Sequence, residues 1–138
     1  MEKPRVKVIC LLKCLDEYLF ANVLDTYKNE YFYILPGGGV EFGEKTIDAV
    51  KREIKEEVNY DLKNPKLIST IEHFFEYKGI SKHEVTFFYL EEVSEKSLFS
   101  NELIDNGNHF PALWIKKSEV PNYNVVPIQV KEWIIKNS

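Results

Sequence analysis

The segment ILPGGGVEFGEKTIDAVKREIKEEV, residues 34–58, decides the fold because it joins the end of a strand, three glycines and one helix. From Thr46 to Val58, apolar residues recur at steps of three and four, which predicts an amphipathic helix with one buried stripe. Asn59 follows the stripe, and asparagine tolerates the left-handed conformation that often ends a helix. The glycines that follow Pro36 predict a flexible loop before the helix.

Three glutamates crowd one side of the predicted helix. Glu53 and Glu57 lie one turn apart and Glu56 lies beside them, so the three carboxylates converge over about 6 Å of helix axis. Their mutual repulsion, at the edge of the buried stripe, should raise the pKa of at least one carboxyl group. A divalent cation would relieve the repulsion, and an all-oxygen cluster suits Mg²⁺ or Mn²⁺. A solvated helix with Glu/Lys pairs has a similar composition, so this second interpretation stays open here.

The glycine-rich loop favours the metal interpretation. Gly37, Gly38 and Gly39 can bring backbone amides and carbonyls close to a phosphate or a metal ion. Gly43 offers a second flexible point just before the helix. We therefore expect the three consecutive glycines to take part in phosphate or substrate binding.

The remainder of the chain is predicted to consist mainly of strands. Apolar, β-branched and aromatic runs predict two hairpin strands within residues 5–23, a strand over 31–35, a long hairpin over 67–77 and 83–93, and a last strand over 110–115. Residues 95–108 should be loop-rich, with a turn at Asp105-Asn106-Gly107, and a second helix should begin at Pro127. This pattern predicts one α+β domain over residues 1–138 with a mixed sheet.

Composition narrows the possible functions. The net charge of −4 and the pI near 5.5 argue against a polymeric nucleic acid as partner, although a local site can still bind a small anion. We expect a cytoplasmic protein without a membrane partner, because no apolar run approaches the length of a membrane span. Cys10 and Cys14 would lie about 13 Å apart on a strand, which is too far for a disulfide.

The spacing of residues in the opening segment resembles the Nudix box. That box reads Gly, five residues, Glu, seven residues, Arg-Glu-aliphatic, one residue, Glu-Glu, one residue, Gly-aliphatic. Its positions are matched here by Gly38, Glu44, Arg52, Glu53, Ile54, Glu56 and Glu57. Asn59 stands where the box has its second Gly and Tyr60 where it has an aliphatic residue, and both changes should spare the chemistry. The chain is therefore similar to MutT-like members of the Nudix hydrolase family.

The resemblance implies an α/β/α sandwich around a central mixed β-sheet. It also implies a hydrolase that cleaves a phosphoanhydride bond in a nucleoside diphosphate linked to another group, with water as nucleophile and Mg²⁺ or Mn²⁺ as cofactor. Nucleoside triphosphates, dinucleoside polyphosphates and nucleotide sugars belong to this class of small-molecule substrate. A protein of this kind would be a monomer or a homodimer.

The resemblance also assigns roles by position. Glu53, Glu56 and Glu57 would be metal ligands together with the carbonyl of Gly38, and Glu53 is a candidate for the base as well. Among the catalytic residues Glu53, Glu57 and Arg52, the arginine would hold the carboxylates in place. Glu44 would have a structural pairing role.

Two further assignments lie outside the box. A further acid before the last strand is expected to be Glu102, ranked ahead of Glu95 and Asp105. Tyr77 is a candidate substrate-binding residue, because diadenosine polyphosphate hydrolases of this family often have a Tyr about seventeen residues past the box. A packing role for this aromatic residue in a hairpin stays open.

Two other functions compete with hydrolysis. The string GGVEFGEKT nearly matches a P-loop, but Glu44 is inserted before Lys45 and places an anion where phosphates would bind. The second alternative is a catalytically silent Nudix-like sensor that binds a nucleotide. All four box glutamates are present, which favours hydrolysis.

Overall fold

The computed structural model describes residues 2–137, which form one mixed sheet with a long helix on one side and a short helix on the other. The strands are β1 (Arg5–Cys14), β2 (Glu17–Asp25), β3 (Glu30–Ile34), β4 (Gly37–Gly39), β5 (Lys66–Tyr77), β6 (Ile80–Glu92), β7 (Glu102–Asp105) and β8 (Asn108–Lys116). The α-helices are α1 (Thr46–Val58) and α2 (Ile128–Lys136), and short 3₁₀ helices span Lys96–Leu98 and Lys117–Asn122.

The sheet is built around the two strands at its centre. Its strand order is β5-β6-β1-β2-β8-β7, with β3 also paired to β2 and β4 also paired to β1. The pairing of β1 with β6 is parallel, whereas the hairpins and the β1–β4 and β2–β8 pairs are antiparallel. Because β1 and β6 are far apart in sequence, α1 can cross one face of the sheet between them.

Both faces of the central strands are buried, which explains the nearly continuous apolar run in β1. Val8, Cys10 and Leu12 pack with α1 on one face. Ile9 and Leu11 pack with Val130 and Ile134 of α2 on the other face. This alternation confirms the predicted α+β sandwich with helices on both sides of a mixed sheet.

Helix α1 has the predicted bounds and the predicted end. Val50 and Ile54 of its apolar stripe are fully buried. Asn59 adopts the left-handed conformation, with φ 54° and ψ 42°, and its N–H donates to the Lys55 carbonyl at 3.1 Å. The residue that stands in place of the Gly of the box therefore ends the helix as expected.

The glycine segment is not the free loop that the sequence predicted. Gly37–Gly39 forms β4, which pairs with Lys7, Val8 and Ile9 of β1. A side chain at Gly37 would overlap the Val8 carbonyl, and one at Gly38 would overlap the Glu53 carboxylate. The glycines therefore serve a close approach of β4 to both β1 and α1, which an argument from flexibility alone does not foresee.

The segment predicted to be loop-rich contains a strand. Glu102–Asp105 pairs with Pro111 to Asn108 as β7, and the predicted turn lies at Asn106-Gly107, where φ is 49° and 79°. The long hairpin is also tighter than predicted, because only Lys78 and Gly79 separate its strands. Positive φ at both residues of such a turn matches the right-handed twist of the strands.

Two smaller predictions concern the cysteines and the membrane. Cys10 and Cys14 are buried free thiols, as expected. None of the helices within residues 2–137 has the length and the apolar content that a membrane crossing requires.

Candidate active site

Helix α1 turns two of its glutamates toward the protein interior. Glu53 is 9% exposed and Glu57 is 5% exposed, although neither belongs to the apolar stripe. The Glu56 side chain is 59% exposed and lies on the solvent side of the helix. The structure thus buries Glu53 and Glu57 against β4 and leaves Glu56 at the surface beside them.

Glu57 is held at the start of β4. Its Oε1 accepts a hydrogen bond from the Gly37 N–H at 2.8 Å. Burial, with a smaller contribution from the negative charges of Asp105 and Glu53, raises the pKa of Glu57 to about 9. The Gly37 hydrogen bond and the charge of Lys7 act in the opposite direction. The raised pKa was expected from repulsion alone, but the structure adds burial as the larger cause.

Arg52 holds the opposite side of the glutamate group. Its Nε and Nη2 donate to the two oxygens of Glu44 at 2.8 and 2.9 Å, and its Nη1 donates to Glu53 Oε1 at 2.8 Å. Nη2 also donates to the Gly39 carbonyl at 3.0 Å, and Glu56 Oε1 lies 3.5 Å from Nη1. We call Arg52, Glu44, Glu53 and Gly39 the Arg52 network.

The Arg52 network is electrostatically satisfied. The hydrogen bonds from Arg52 and from the Glu41 N–H lower the pKa of Glu44 to about 2. The hydrogen bonds to Glu44 and Glu53 raise the pKa of Arg52 above its ordinary value. Glu44 therefore occupies the pairing position expected for it, with Arg52 joining β4 to α1.

Some backbone groups of β4 already bind the chain's own side chains. The Gly37 N–H bonds to Glu57, and the Gly39 carbonyl bonds to Arg52. Gly38 lies against the Glu53 carboxylate, where a side chain would not fit. The three glycines thus position the two buried carboxylates, whatever further contact they make with a substrate.

A cavity of about 520 Å³ opens beside Glu57. Asp105, at the end of β7, lines it together with Gly37 and Glu57. Its other walls include Arg5, Lys7, Phe32, His73, Phe75, Tyr77, Lys82, Glu84 and Asn124.

The Tyr77 and Phe32 rings pack edge to face with centroids 5.8 Å apart, so Tyr77 both lines the cavity and packs on a neighbour. Tyr77 therefore has a packing contact, and its substrate-binding role stays a prediction.

The acid ranked first from the sequence lies outside the cavity. Glu102 is exposed, and its Oε2 lies 3.1 Å from His109 Nδ1. Glu95 is exposed and hydrogen-bonded to Ser97. The acid whose charge reaches Glu57 is Asp105. Because the sequence did not reveal β7, it could not show which acid this strand carries to the cavity.

Sequence reasoning also missed the basic wall of the cavity. Arg5 and Lys7 lie two residues apart on β1, so they point to the same face of the strand. Lys7 Nζ lies 3.8 Å from Oε1 of Glu84, a buried residue of the neighbouring strand β6. The alternation of these two cations with Val6 and Val8 was the signal available in the sequence.

The donor set fits a hard cation, although the group is not preassembled. Within residues 2–137, no three His, Cys, Asp or Glu side chains are arranged to hold a metal. Glu57 nevertheless concentrates negative charge with Asp105 and Glu53, and carboxylate oxygens are the ligands that Mg²⁺ and Mn²⁺ prefer. Glu53, Glu56 and Glu57 supply these oxygens from one helix, and a cation would remove the repulsion that raises the pKa of Glu57.

Comparisons with known proteins agree with this architecture. The sequence matches the NUDIX domain over residues 3–134. The fold is similar to that of a MutT NUDIX hydrolase from Burkholderia pseudomallei, with a TM-score of 0.73 and 23% identity over 99% of this chain and 100% of that chain. It is also similar to a MutT protein from Methanosarcina mazei Go1, with a TM-score of 0.70 and 19% identity over 99% of this chain and 94% of that chain.

A third structure shares the fold as part of a longer chain. It is a bifunctional NMN adenylyltransferase/ADP ribose pyrophosphatase from Francisella tularensis, with a TM-score of 0.72 and 18% identity over 99% of this chain and 42% of that chain. At these identities the likeness concerns the fold. No match was found among curated proteins.

Proposed function

Because the chain belongs to the NUDIX family of pyrophosphohydrolases, we propose that it uses Mg²⁺ or Mn²⁺ to cleave a phosphoanhydride bond in a nucleoside diphosphate linked to another group. Water is the nucleophile. The observation that carries the proposal is Glu57, a buried carboxyl group whose pKa is raised to about 9 at the wall of a cavity of about 520 Å³. Such a group is costly to keep charged unless a cation binds there.

We assign the metal ligands to Glu53, Glu56, Glu57 and the carbonyl of Gly38. When bound, the ion neutralises phosphate oxygens and lowers the pKa of a water molecule. Arg52 holds one oxygen of Glu53 at 2.8 Å, so the Glu53 carboxylate is fixed in orientation before any ligand arrives. This arrangement supports Arg52 as a positioning residue and Glu53 as a ligand, with its second oxygen available as a base.

Asp105 replaces Glu102 as the further acid of the proposed site. Its carboxylate lines the same cavity as Glu57 and lies close enough to raise the pKa of that residue. A carboxylate there can accept a proton from the attacking water or complete the ligand set. Glu102 pairs with His109 at the surface and has no such contact.

The cavity supports a nucleotide as the substrate. Its volume lies in the range of small-molecule sites, and Phe32, Phe75 and Tyr77 line it with aromatic surface on which a base can stack. Glu57 and Asp105 supply its acidic wall. A ligand with an aromatic base and a phosphate chain matches the aromatic surface directly and would match the acidic wall through a bound cation.

The test of the proposed function is a substrate panel with Mg²⁺ and with Mn²⁺. Nucleoside triphosphates, dinucleoside polyphosphates, ADP-ribose and nucleotide sugars are incubated with the protein, and the nucleotide and phosphate products are identified by chromatography. We expect metal-dependent release of a nucleoside phosphate from at least one class. Nucleotide binding with no turnover under either metal would favour the alternative, a catalytically silent sensor.

A further inference from the structure

The two arginines of the chain, Arg5 and Arg52, lie on either side of Gly39. Arg52 donates to Gly39, Glu44 and Glu53, so its guanidinium is occupied within the protein. Arg5 reaches Gly39 from β1, and its Nη2 lies 3.0 Å from the point where a Gly39 Cβ would be. The absence of a side chain at Gly39 leaves the space that the Arg5 guanidinium occupies.

Arg5 differs from Arg52 in its lack of partners. Among residues 2–137, no hydrogen bond or ion pair involves the Arg5 side chain. Lys7, the next cation on the same face of β1, is already paired with Glu84 at 3.8 Å. The five N–H donors of its guanidinium therefore have no partner in the described part of the chain.

Arg5 and Glu57 line the same cavity. Glu57 is fixed at Gly37 and Arg5 lies against Gly39, two residues further along β4, which corresponds to about 7 Å of strand. A phosphate chain held by an ion at Glu57 can extend over that distance toward Arg5. The positive guanidinium would then meet phosphate oxygens that the ion does not contact.

We propose that Arg5 is a substrate-binding residue that contacts the phosphate next to the metal-bound one. The proposal rests on the function proposed above and assigns one residue of this chain, outside the glutamate group, to the second phosphate of the ligand. A guanidinium fork matches two phosphate oxygens at once, which a lysine point charge does not. Arg5 thereby distinguishes pyrophosphate-containing ligands from monophosphates.

Binding measurements separate this role from a structural one. Wild-type protein, Arg5→Gln, Arg5→Lys and the control Lys66→Gln are titrated with methylenediphosphonate and with AMP, each with Mg²⁺, by calorimetry. Lys66 is an exposed cation at the start of β5 and does not line the cavity, so its substitution removes the same charge elsewhere. Because the Arg5 side chain is exposed and makes no hydrogen bond or ion pair with residues 2–137, Arg5→Gln should fold normally.

We expect Arg5→Gln to weaken methylenediphosphonate binding by about tenfold to a hundredfold, and AMP binding by less than about threefold. Arg5→Lys should recover only part of the affinity, and Lys66→Gln should match the wild type. In turnover assays on a substrate from the panel, Arg5→Gln should raise KM more than it lowers kcat.

The outcomes separate this inference from the function on which it rests. If the wild type hydrolyses a substrate but Arg5→Gln binds methylenediphosphonate equally well, the role of Arg5 is wrong and the hydrolase stands. If methylenediphosphonate binding depends on Arg5 but no substrate is turned over, the phosphate contact stands and the hydrolase is wrong. A wild type that neither binds methylenediphosphonate nor hydrolyses any substrate overturns both.

Discussion

Carboxyl groups lie on both sides of β4, but their pKa values differ. On one side, the Arg52 network pairs each of its carboxylates, and the pKa of Glu44 falls to about 2. On the other side, Glu57 is buried near Asp105, and its pKa rises to about 9. A single helix, α1, supplies both Arg52 and Glu57.

This difference separates carboxylates that are paired within the chain from one that is not. The Arg52 network joins β4 to the helix through hydrogen-bonded ion pairs, so Glu44 and Glu53 are held in place before any ligand binds. On the other side, Glu57 has no ion pair that offsets its burial, so its charged form is costly in the free protein and a bound cation would favour it. Substitutions on the two sides should therefore have opposite effects on stability.

The largest expected effect is on turnover, from Glu57→Gln. Removing this charge should lower kcat/KM by at least about a hundredfold, or about 2.7 kcal/mol, because one charged contact to the metal is lost. Folding should be retained, since the amide keeps the shape of the carboxylate. The measurement is kcat/KM on a substrate from the panel at saturating and at limiting Mg²⁺.

The matched control is Glu132→Gln, at an exposed position of α2 outside the cavity. It should leave turnover unchanged. Near-normal rates of Glu57→Gln at limiting Mg²⁺ would show that Glu57 is not a ligand and that the contrast between the two sides has no functional meaning.

The next effect is on stability and its dependence on pH. The pKa of Glu57 is raised from 4.5 to about 9 on folding, so the native state favours the protonated form. The contribution of Glu57 to stability is fully present below its pKa in the unfolded chain, and it is lost as the pH rises toward its pKa in the folded protein. Without metal, the free energy of unfolding should fall by about 2 to 3 kcal/mol between about pH 6 and pH 8.5.

Urea denaturation in EDTA across this pH range measures the slope. Glu57→Gln should remove the slope and be more stable than the wild type at the alkaline end. Mg²⁺ should stabilise the wild type there, because it binds the charged form. A wild type whose stability is independent of pH in EDTA would contradict the raised pKa of Glu57.

A loss of stability, opposite to the gain expected for Glu57→Gln, is expected from a substitution in the Arg52 network. Arg52→Lys should destabilise the protein by about 1 to 2 kcal/mol at pH 7, because a lysine cannot make the four hydrogen bonds of the guanidinium. Turnover should fall as well, since Glu53 loses its orientation. Chemical denaturation and kcat/KM measure the two effects, with the exposed neighbour Lys51→Gln as the control. An Arg52→Lys protein as stable as the wild type would show that the network does not join β4 to α1.

The smallest expected effect distinguishes two acids of the same strand. Asp105→Asn should lower kcat/KM by about tenfold, or about 1.4 kcal/mol, and should flatten the pH slope of stability, because it removes a charge that acts on Glu57. Glu102→Gln should affect neither and should cost at most about 1 kcal/mol through its surface pair with His109. Equal losses of activity in both variants would contradict the assignment of Asp105 as the further acid of the site.

The parts of this architecture that were predictable from the sequence depend on local periodicity. The bounds of α1 and its end at Asn59 follow from a repeat of three and four residues and from one left-handed residue. The same repeat placed Glu53 and Glu57 one turn apart. Its phase did not show that both are buried while Glu56 is exposed, because burial depends on what packs against the helix.

The remaining features depend on strand pairings between distant segments. Gly37–Gly39 is a strand because β1 lies beside it, and three glycines carry no strand signal of their own. Asp105 reaches the cavity because β7 pairs with β8. Lys7 is paired with Glu84, whereas the Arg5 side chain has no partner among residues 2–137, and no sequence pattern shows this difference.

The most direct test of the account is a Mn²⁺ titration followed by electron paramagnetic resonance. Wild-type protein and Glu57→Gln are titrated at pH 7.5 with methylenediphosphonate present. We expect the wild type to bind Mn²⁺ and Glu57→Gln to bind it at least about tenfold more weakly. Equal Mn²⁺ affinity in the two proteins, or no Mn²⁺ binding by the wild type, would contradict the claim that the unpaired side of β4 is a metal site.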